Sequence, residues 1–141
     1  MDIREITPAF FAAPQISPEE MPDIAAAGIS RIICNRPNTE IPPSHHAAVM
    51  AEAAAAAGLE FFERPLTHQT MTPDIIAENW QLISESDGAV LAYCASGTRS
   101  TIAWALGAAK DMPPDDIIAA AASGGYDLAN LRPALEAAAR A

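Results

Sequence analysis

The sequence predicts an α/β fold in which a central, mainly parallel sheet is flanked by helices. Short apolar segments rich in β-branched residues alternate with longer segments of helical pattern, an order typical of parallel sheets. The segment Ala89–Tyr93 is apolar at every position, as expected of a central strand covered on both faces. Hydrophobic residues make up 50% of the chain, enough for a packed core, so we expect residues 1–141 to form a single domain.

The first quarter of the chain predicts three strands and one helix. The apolar segments Ile3–Thr7 and Phe10–Ala13 are strand candidates. The run Ser17-Pro18-Glu19-Glu20 combines an N-cap residue, a proline suited to the first helical position and a capping box. We therefore expect a helix to begin there and to end before Gly28. The β-branched pair within Arg31–Cys34 indicates the third strand.

The middle of the chain predicts two helices separated by a strand. The polar, proline-rich segment Asn35–Pro43 should form a loop, after which Ser44 is expected to cap a helix that extends through Ala57. A strand is expected over Leu59–Arg64 and a loop over Pro65–Met71. Thr72-Pro73 then starts a third helix, which should end near residue 84.

The last third of the chain places a loop of unusual composition after the central strand. The strand Ala89–Tyr93 continues directly into a short segment of small residues, which is followed by the apolar helix Thr101–Ala109. Two more helices are expected, over about Pro114–Ala122 and Leu128–Ala139. Because ligands bind at the carboxyl ends of the strands in open α/β sheets, the segment after Tyr93 is the expected position of a site.

Charge and composition exclude several functions. The formal net charge is −10, which opposes binding to phosphodiester backbones and anionic membranes, so we expect no nucleic-acid or membrane partner. No apolar run approaches the roughly 20 residues that span a bilayer, and no secretory signal is visible at the start of the chain. The two cysteines cannot form a disulfide framework, and we expect a reduced, cytoplasmic protein.

The segment Cys94–Ser100 contains the residues that predict chemistry. A buried strand delivers Cys94 into a loop of small residues that opens a helix, where backbone N–H groups and the helix N-terminus favour negative charge at the sulfur. Arg99 can add a planar, bidentate donor, and Ser100 can donate a hydrogen bond to a thiolate. We expect Cys94 to act as a nucleophile and the loop to bind an oxyanion. The expected oxyanion-binding residues of the loop are Ala95, Ser96, Gly97, Thr98 and Arg99.

This loop, together with other segments, resembles a known family: the phosphatase-like domain found alone in bacteria or fused to β-lactamase-fold hydrolases. The resemblance covers nearly the whole chain and rests on Ala13-Pro14-Gln15-Ile16, Asn35-Arg36-Pro37, the Cys94–Ser100 loop with Trp104-Ala105, and Gly124-Gly125-Tyr126-Asp127-Leu128. It implies a fold like that of dual-specificity protein phosphatases. The members of this family are described both as hydrolases and as sulfurtransferases, so the resemblance supports the nucleophile and not one reaction. We expect a phosphatase-like hydrolase that acts through a covalent intermediate on Cys94, without metal or organic cofactor, on a small anionic substrate or a phosphorylated molecule.

The loop departs from the tyrosine-phosphatase pattern in ways that leave the reaction open. Those phosphatases have five residues between the cysteine and the arginine and a histidine before the cysteine, whereas this chain has four residues and Tyr93. A spacing of four residues after the cysteine also resembles that of the rhodanese loop, so a sulfurtransferase with a persulfide on Cys94 is an alternative. A third hypothesis is a non-catalytic module that binds an anionic partner. The oligomeric state is not predicted.

Two further residues are candidates for the same site. The loop Pro65–Met71 has no carboxylate, so His68 is the best candidate for a general acid; the alternative is a solvated loop histidine. Arg36 follows the third predicted strand at the same rim and can supply a second cation for an anionic substrate, or else occupy an ordinary turn.

The remaining cysteine and histidines have simpler interpretations. Cys34 is expected to be a core residue, although a redox pair with Cys94 across the sheet is an alternative. His45 and His46 are adjacent and would point about 100° apart on a helix, so we expect no metal site there. The segment Gly124–Asp127 is expected to be a turn between helices, since no strand precedes it.

Overall fold

The protein forms a five-stranded sheet in which four strands are parallel. The computed structural model describes residues 1–141. The strands are β1 (Arg4–Thr7), β2 (Phe10–Ala13), β3 (Ile29–Cys34), β4 (Glu60–Glu63) and β5 (Ala89–Tyr93). Their order in the sheet is β1-β2-β5-β3-β4, with β1 antiparallel to β2 and every other pair parallel. The predicted α/β class, the mainly parallel sheet and the central position of β5 are confirmed.

Six α-helices flank the sheet. They are α1 (Met21–Ala26), α2 (Ala47–Ala56), α3 (Pro73–Ser84), α4 (Thr98–Ala108), α5 (Pro114–Ser123) and α6 (Arg132–Arg140). Short 3₁₀ helices precede several of them, at Pro18–Glu20, Asn38–Glu40, Pro43–His45 and Ala129–Leu131. No helix combines the length and the apolar character needed to cross a bilayer.

The expected cap of the second helix is wrong. Ser44 lies inside the 3₁₀ helix Pro43–His45, and α2 begins only at Ala47, with His46 in extended backbone conformation before it. The side chain of Asn38, nine residues upstream, accepts a hydrogen bond of 2.9 Å from the Ala47 N–H. A loop residue nine positions upstream therefore accepts a hydrogen bond from a backbone N–H at the start of the helix. The sequence next to the helix does not predict this contact.

Two apolar cores cover the faces of the sheet. On one face, Leu91 and Tyr93 of β5 pack in a cluster with residues of α1 and α2, including Met21, Ile24 and Met50. On the other face, the alternate residues Val90 and Ala92 join a larger cluster that includes residues of α3, α4, α5 and α6. The strand β5 is therefore buried on both sides, as its uninterrupted apolar sequence predicts.

Parallel register brings three strand ends together at one edge. Tyr93 lies opposite Ala13 of β2 and Cys34 of β3. Beyond these positions the pairing continues for one more step, as the Cys94 N–H donates to the Ala13 carbonyl at 3.3 Å and the Asn35 N–H donates to the Tyr93 carbonyl at 2.9 Å. The loop after β5 therefore emerges between the loops after β2 and β3.

Candidate functional site

Cys94 lies at the junction between β5 and the N-terminus of α4. The residue is fully buried, and the Gly97 N–H donates a hydrogen bond of 3.1 Å to its Sγ. Gly97 occupies the N-cap position of α4 with φ of +95°, a left-handed conformation that residues with a side chain rarely adopt. The Gly97 N–H thus points towards the sulfur at the positive end of a helix of 11 residues.

Several N–H groups of this loop remain available for an anion. The Thr98 N–H is used within the loop, where it donates to the Ser96 hydroxyl at 3.3 Å. The first intrahelical bond of α4 runs from the Thr101 N–H to the Gly97 carbonyl. Four other backbone N–H groups of the segment have no acceptor in the protein, namely those of Ala95, Ser96, Arg99 and Ser100. Such a group of donors at a helix N-terminus is a suitable binding site for an oxyanion.

Tyr126 supports the loop from the opposite side. Its hydroxyl donates to the Ser96 carbonyl at 3.0 Å, and a β-carbon at position 97 would collide with that hydroxyl. The Arg4 guanidinium lies 5.1 Å from the centre of the Tyr126 ring. The segment Gly124–Asp127 connects α5 to the following 3₁₀ helix, as expected of a turn between helices, and places Tyr126 against Gly97. Nothing in the local sequence around Tyr126 predicts this contact, because its partners lie about 30 positions upstream along the chain.

Arg99 is bound by two neighbouring loops. One terminal nitrogen, Nη1, donates to the Leu66 carbonyl at 2.7 Å and to Glu40 Oε2 at 2.9 Å, and the other, Nη2, donates to Glu40 Oε1 at 2.6 Å. These hydrogen bonds with Glu40 raise the pKa of Arg99 and lower the pKa of the Glu40 carboxyl from their ordinary values. Glu40 is therefore a carboxylate at neutral pH, and its lowered pKa makes it a poor proton donor.

Arg36 also lies beside Glu40. Its Nη2 donates to the Glu40 backbone carbonyl at 3.0 Å, and its Nε lies 3.5 Å from the Glu40 carboxylate. Its Nη1 donates to Gln15 Oε1 at 3.3 Å, which connects it to the loop after β2. The two arginines expected at the rim, Arg36 and Arg99, thus meet at one acidic side chain. Sequence reasoning missed Glu40, because nothing in the polar loop distinguishes it from a solvated carboxylate.

Ser100 has a different partner from the one expected. Its hydroxyl donates to Asn35 Oδ1 at 2.8 Å and not to the Cys94 sulfur. The Asn35 amide in turn donates to the Arg64 carbonyl at 2.8 Å and to Asn79 Oδ1 at 2.9 Å. Ser100, Asn35 and Asn79 are all buried. A buried amide requires partners for both its oxygen and its nitrogen, so Asn35 accepts the hydrogen bond from the Ser100 hydroxyl. Through these contacts Asn35 links β3, α3 and α4.

One of the three histidines is exposed, and the other two have partners within their own loop. His68 is exposed in the turn Thr67–Thr70, which follows directly after Leu66. His45 Nδ1 pairs with the Ser44 hydroxyl at 2.8 Å, and His46 Nε2 lies 3.0 Å from the Ile41 carbonyl. No group of three His, Cys, Asp or Glu side chains in the structure could hold a metal ion.

The second cysteine is a buried residue of the core. Cys34 and Cys94 are both free thiols, and Cys34 belongs to the apolar cluster around α1 and α2. The Cys34 thiol donates to the Arg36 carbonyl at 3.5 Å. Burial raises the pKa of Cys34 and also the pKa of the neighbouring phenol of Tyr93. Deprotonation of Cys34 is therefore disfavoured, in keeping with a packing role.

The buried amide network generates a stability prediction. In a Ser100→Ala variant, Asn35 Oδ1 loses its donor while it remains buried, so we expect the free energy of unfolding to fall by about 1–3 kcal/mol. Ser123→Ala is the matched control, because the Ser123 hydroxyl is exposed and bonds only within its own helix turn. Urea unfolding of both variants is the measurement. Equal and negligible losses in the two variants would contradict the proposed contribution of this network.

The sequence matches a known protein family over most of its length. Residues 2–111 match the family described as the phosphatase-like domain of beta-lactamase hydrolase-like protein. A beta-lactamase hydrolase-like protein of Agrobacterium fabrum is 34% identical over 92 residues, and one of Xylella fastidiosa strain Temecula1 is 30% identical over 130 residues. The matches cover 65% and 91% of this chain but only 21% and 30% of those relatives. The chain therefore spans less than a third of the length of these curated relatives.

Solved structures show the same architecture. A crystal structure of a candidate phosphatase from Neisseria meningitidis Z2491 aligns with a TM-score of 0.84 and 34% identity, over 98% of this chain and 99% of that chain. The structure of Tk-PTP in its active form aligns at 0.74 with 14% identity, over 98% and 95% of the two chains. PTPMT1 in complex with PI(5)P aligns at 0.75 with 13% identity, over 99% and 96%. At 14% and 13% identity, the similarities to Tk-PTP and PTPMT1 show only that the fold is shared.

These similarities confirm both the family resemblance seen in the sequence and the predicted dual-specificity-phosphatase-like fold. The chain belongs to the family of the phosphatase-like domain of beta-lactamase hydrolase-like proteins.

Proposed function

We propose that this chain is a cysteine-dependent phosphatase-like hydrolase that acts through a covalent intermediate on Cys94. The observation that carries the proposal is the Gly97 N–H, which donates to the Cys94 sulfur at 3.1 Å at the N-terminus of α4. This contact places a hydrogen-bond donor and the positive end of a helix dipole at the sulfur, a setting suited to a nucleophilic cysteine. Membership of a phosphatase-like family supports the same reaction class.

The proposed reaction has two displacement steps. In the first, the Cys94 thiolate attacks phosphorus, the bond between phosphorus and the ester oxygen breaks, and the alcohol leaves with a proton. In the second, water attacks the thiophosphate ester, phosphate leaves and the thiolate is restored. The loop N–H groups and the Arg99 guanidinium stabilise the charge on the phosphoryl oxygens in both transition states. These steps need no metal or organic cofactor.

The proton for the leaving oxygen must come from a group near the rim. Glu40 is unsuited, since Arg99 lowers the pKa of its carboxyl. We propose His68 as the donor, because its turn follows Leu66, whose carbonyl accepts a hydrogen bond from Arg99. His68 is exposed, so water is the competing donor. Arg36, held beside Glu40, is the proposed second cation for an anionic substrate.

The two other hypotheses predict different behaviour of the same loop. A sulfurtransferase would hold a persulfide on Cys94, which agrees with the four residues between Cys94 and Arg99, but the similarities to known proteins lend this alternative no support. A non-catalytic module would bind phosphate or sulfate without turnover. Only the hydrolase would release phosphate from a phosphate ester, so phosphate release distinguishes it from both alternatives.

The role of Cys94 predicts loss of hydrolysis in one cysteine variant only. We expect Cys94→Ser to abolish the hydrolysis of p-nitrophenyl phosphate, because a serine hydroxyl in this loop has no base to activate it. Cys34→Ser is the matched control and should retain hydrolysis, since Cys34 belongs to the core on one face of the sheet. The measurement is steady-state kinetics of both variants and the wild type. Phosphate release that persists in Cys94→Ser would exclude the covalent mechanism.

The role of His68 predicts a dependence on the leaving group. General acid catalysis contributes about 10²–10⁴-fold to the rate and matters least for a leaving group that is stable as an anion. We therefore expect His68→Ala to slow the hydrolysis of an alkyl phosphate much more than that of p-nitrophenyl phosphate. His45→Ala is the control, because His45 pairs only with Ser44. Equal effects of His68→Ala on both substrates would exclude His68 as the acid.

A further inference from the structure

A mainly apolar pocket lies between α3, α4 and the C-terminal end of α6. Its volume is about 360 Å³, within the range of about 300–1,000 Å³ that is usual for small-molecule sites. Its lining includes Met71, Ile76, Trp80 and Leu106. None of the residues of the Cys94 loop, and none of the hydrogen-bond partners of Arg99, belongs to this lining. The pocket is therefore separate from the Cys94 site.

One wall of the pocket rests on a packed cluster. Ile76 is 8% exposed and packs with the buried residues Leu66 and Ala103, and Met71 and Leu106 pack against the same cluster. These side chains connect α3, α4 and the loop that precedes α3. Because close-packed side chains have little freedom to move, this apolar wall is formed before any ligand arrives.

A glycine in α4 brings the indole of Trp80 against the helix at the pocket. A β-carbon at position 107 would lie 2.7 Å from the Trp80 Cβ and 3.1 Å from its Cγ, too close for two side chains. A glycine inside a helix destabilises it relative to alanine, and here it allows this close contact between α3 and α4. The half-buried indole thus offers a ligand a fixed aromatic surface.

The charge at the pocket comes from one side chain. Lys110 is the only lysine of the chain, and it is the only charged side chain among the ten residues that line the pocket. It is exposed and follows the C-terminal end of α4, a position that favours a cation. All five ion pairs of the structure use arginine side chains, so the Lys110 ammonium has no carboxylate partner.

We propose that this pocket binds a small amphiphilic anion, such as a medium-chain carboxylate. The hydrocarbon part contacts Ile76, Trp80 and Leu106, which removes apolar surface from water, and the carboxylate pairs with Lys110 at the edge of the pocket. The single cation beside an otherwise uncharged lining matches a ligand with one anionic group and one apolar part. Binding here needs no chemistry at Cys94, so this proposal does not depend on the proposed hydrolase function.

Titration of the full chain with octanoate, and separately with the neutral octanol, tests the proposal. The measurement is the nuclear magnetic resonance signal of the Trp80 indole N–H in ¹⁵N-labelled protein. We expect both ligands to shift this signal, and Lys110→Gln to weaken octanoate binding by about twofold to fivefold while octanol binding stays unchanged. Arg132→Gln is the matched control, because it removes the same charge from an exposed residue at the other end of α6 and should change neither affinity.

A second pair of variants tests the position of the hydrocarbon part. Ala77 is exposed on α3 and lines the pocket, so Ala77→Glu places a carboxylate against the apolar surface and should weaken both ligands by at least about tenfold. Ala55→Glu adds the same charge at an exposed position of α2, outside this lining, and should leave both affinities unchanged.

Several results would overturn the proposal. A Trp80 signal that does not respond to octanoate would show that the pocket does not take an amphiphilic anion. Equal octanoate affinities in the wild type and Lys110→Gln would remove the ion pair, and equal losses in Lys110→Gln and Arg132→Gln would reduce it to net charge. Octanoate affinity that is the same in Ala77→Glu and Ala55→Glu would place the ligand elsewhere on the protein.

Discussion

The hydrogen bond from the Gly97 N–H to the Cys94 sulfur is the contact on which the rest of the site depends. It exists only because a buried central strand ends at Cys94 and because position 97 adopts a left-handed backbone conformation. Tyr126 fills the space where a side chain at position 97 would lie. The sulfur is therefore held, without solvent contact, at the N-terminal end of α4, which is the positive end of the helix dipole. A cysteine on a free loop would have neither the donors nor the burial.

A second layer of polar contacts holds the loops around that sulfur. Asn35 connects the end of β3 to α3 and α4 through Asn79 and Ser100, and all three side chains are buried. Arg99 performs a similar role nearer the surface, where it joins α4 to the loops that contain Leu66 and Glu40. The protein has a formal net charge of −10, yet two arginines, Arg36 and Arg99, share the single carboxylate of Glu40 at this rim. The rim therefore keeps an excess of positive charge beside the Cys94 loop.

Much of the fold and part of the site follow from local sequence. The apolar run Ala89–Tyr93 defines a strand buried on both faces, and small residues after a buried cysteine define a loop that opens a helix. These signals lie within a few residues of each other, and the structure agrees with them. Ser44 shows where local pattern fails: it has the residue type of a helix cap, but Asn38 takes that role from a distant loop. Ser100 failed as a predicted thiolate donor for the same reason, because its partner, Asn35, is 65 positions away. Glu40 and Tyr126 were missed since their importance comes entirely from contacts between separate loops.

Intact-protein mass spectrometry can show whether Cys94 carries the transferred group. The protein is exposed to an aryl phosphate in one reaction and to thiosulfate in another, quenched with acid, and the modified residue is located by peptide mapping. We expect a phosphoryl adduct on Cys94 from the aryl phosphate and no sulfur adduct from thiosulfate, with Cys34 unmodified in both reactions. A sulfur adduct on Cys94 without any phosphoryl adduct would contradict the hydrolase mechanism and assign the loop to sulfur transfer.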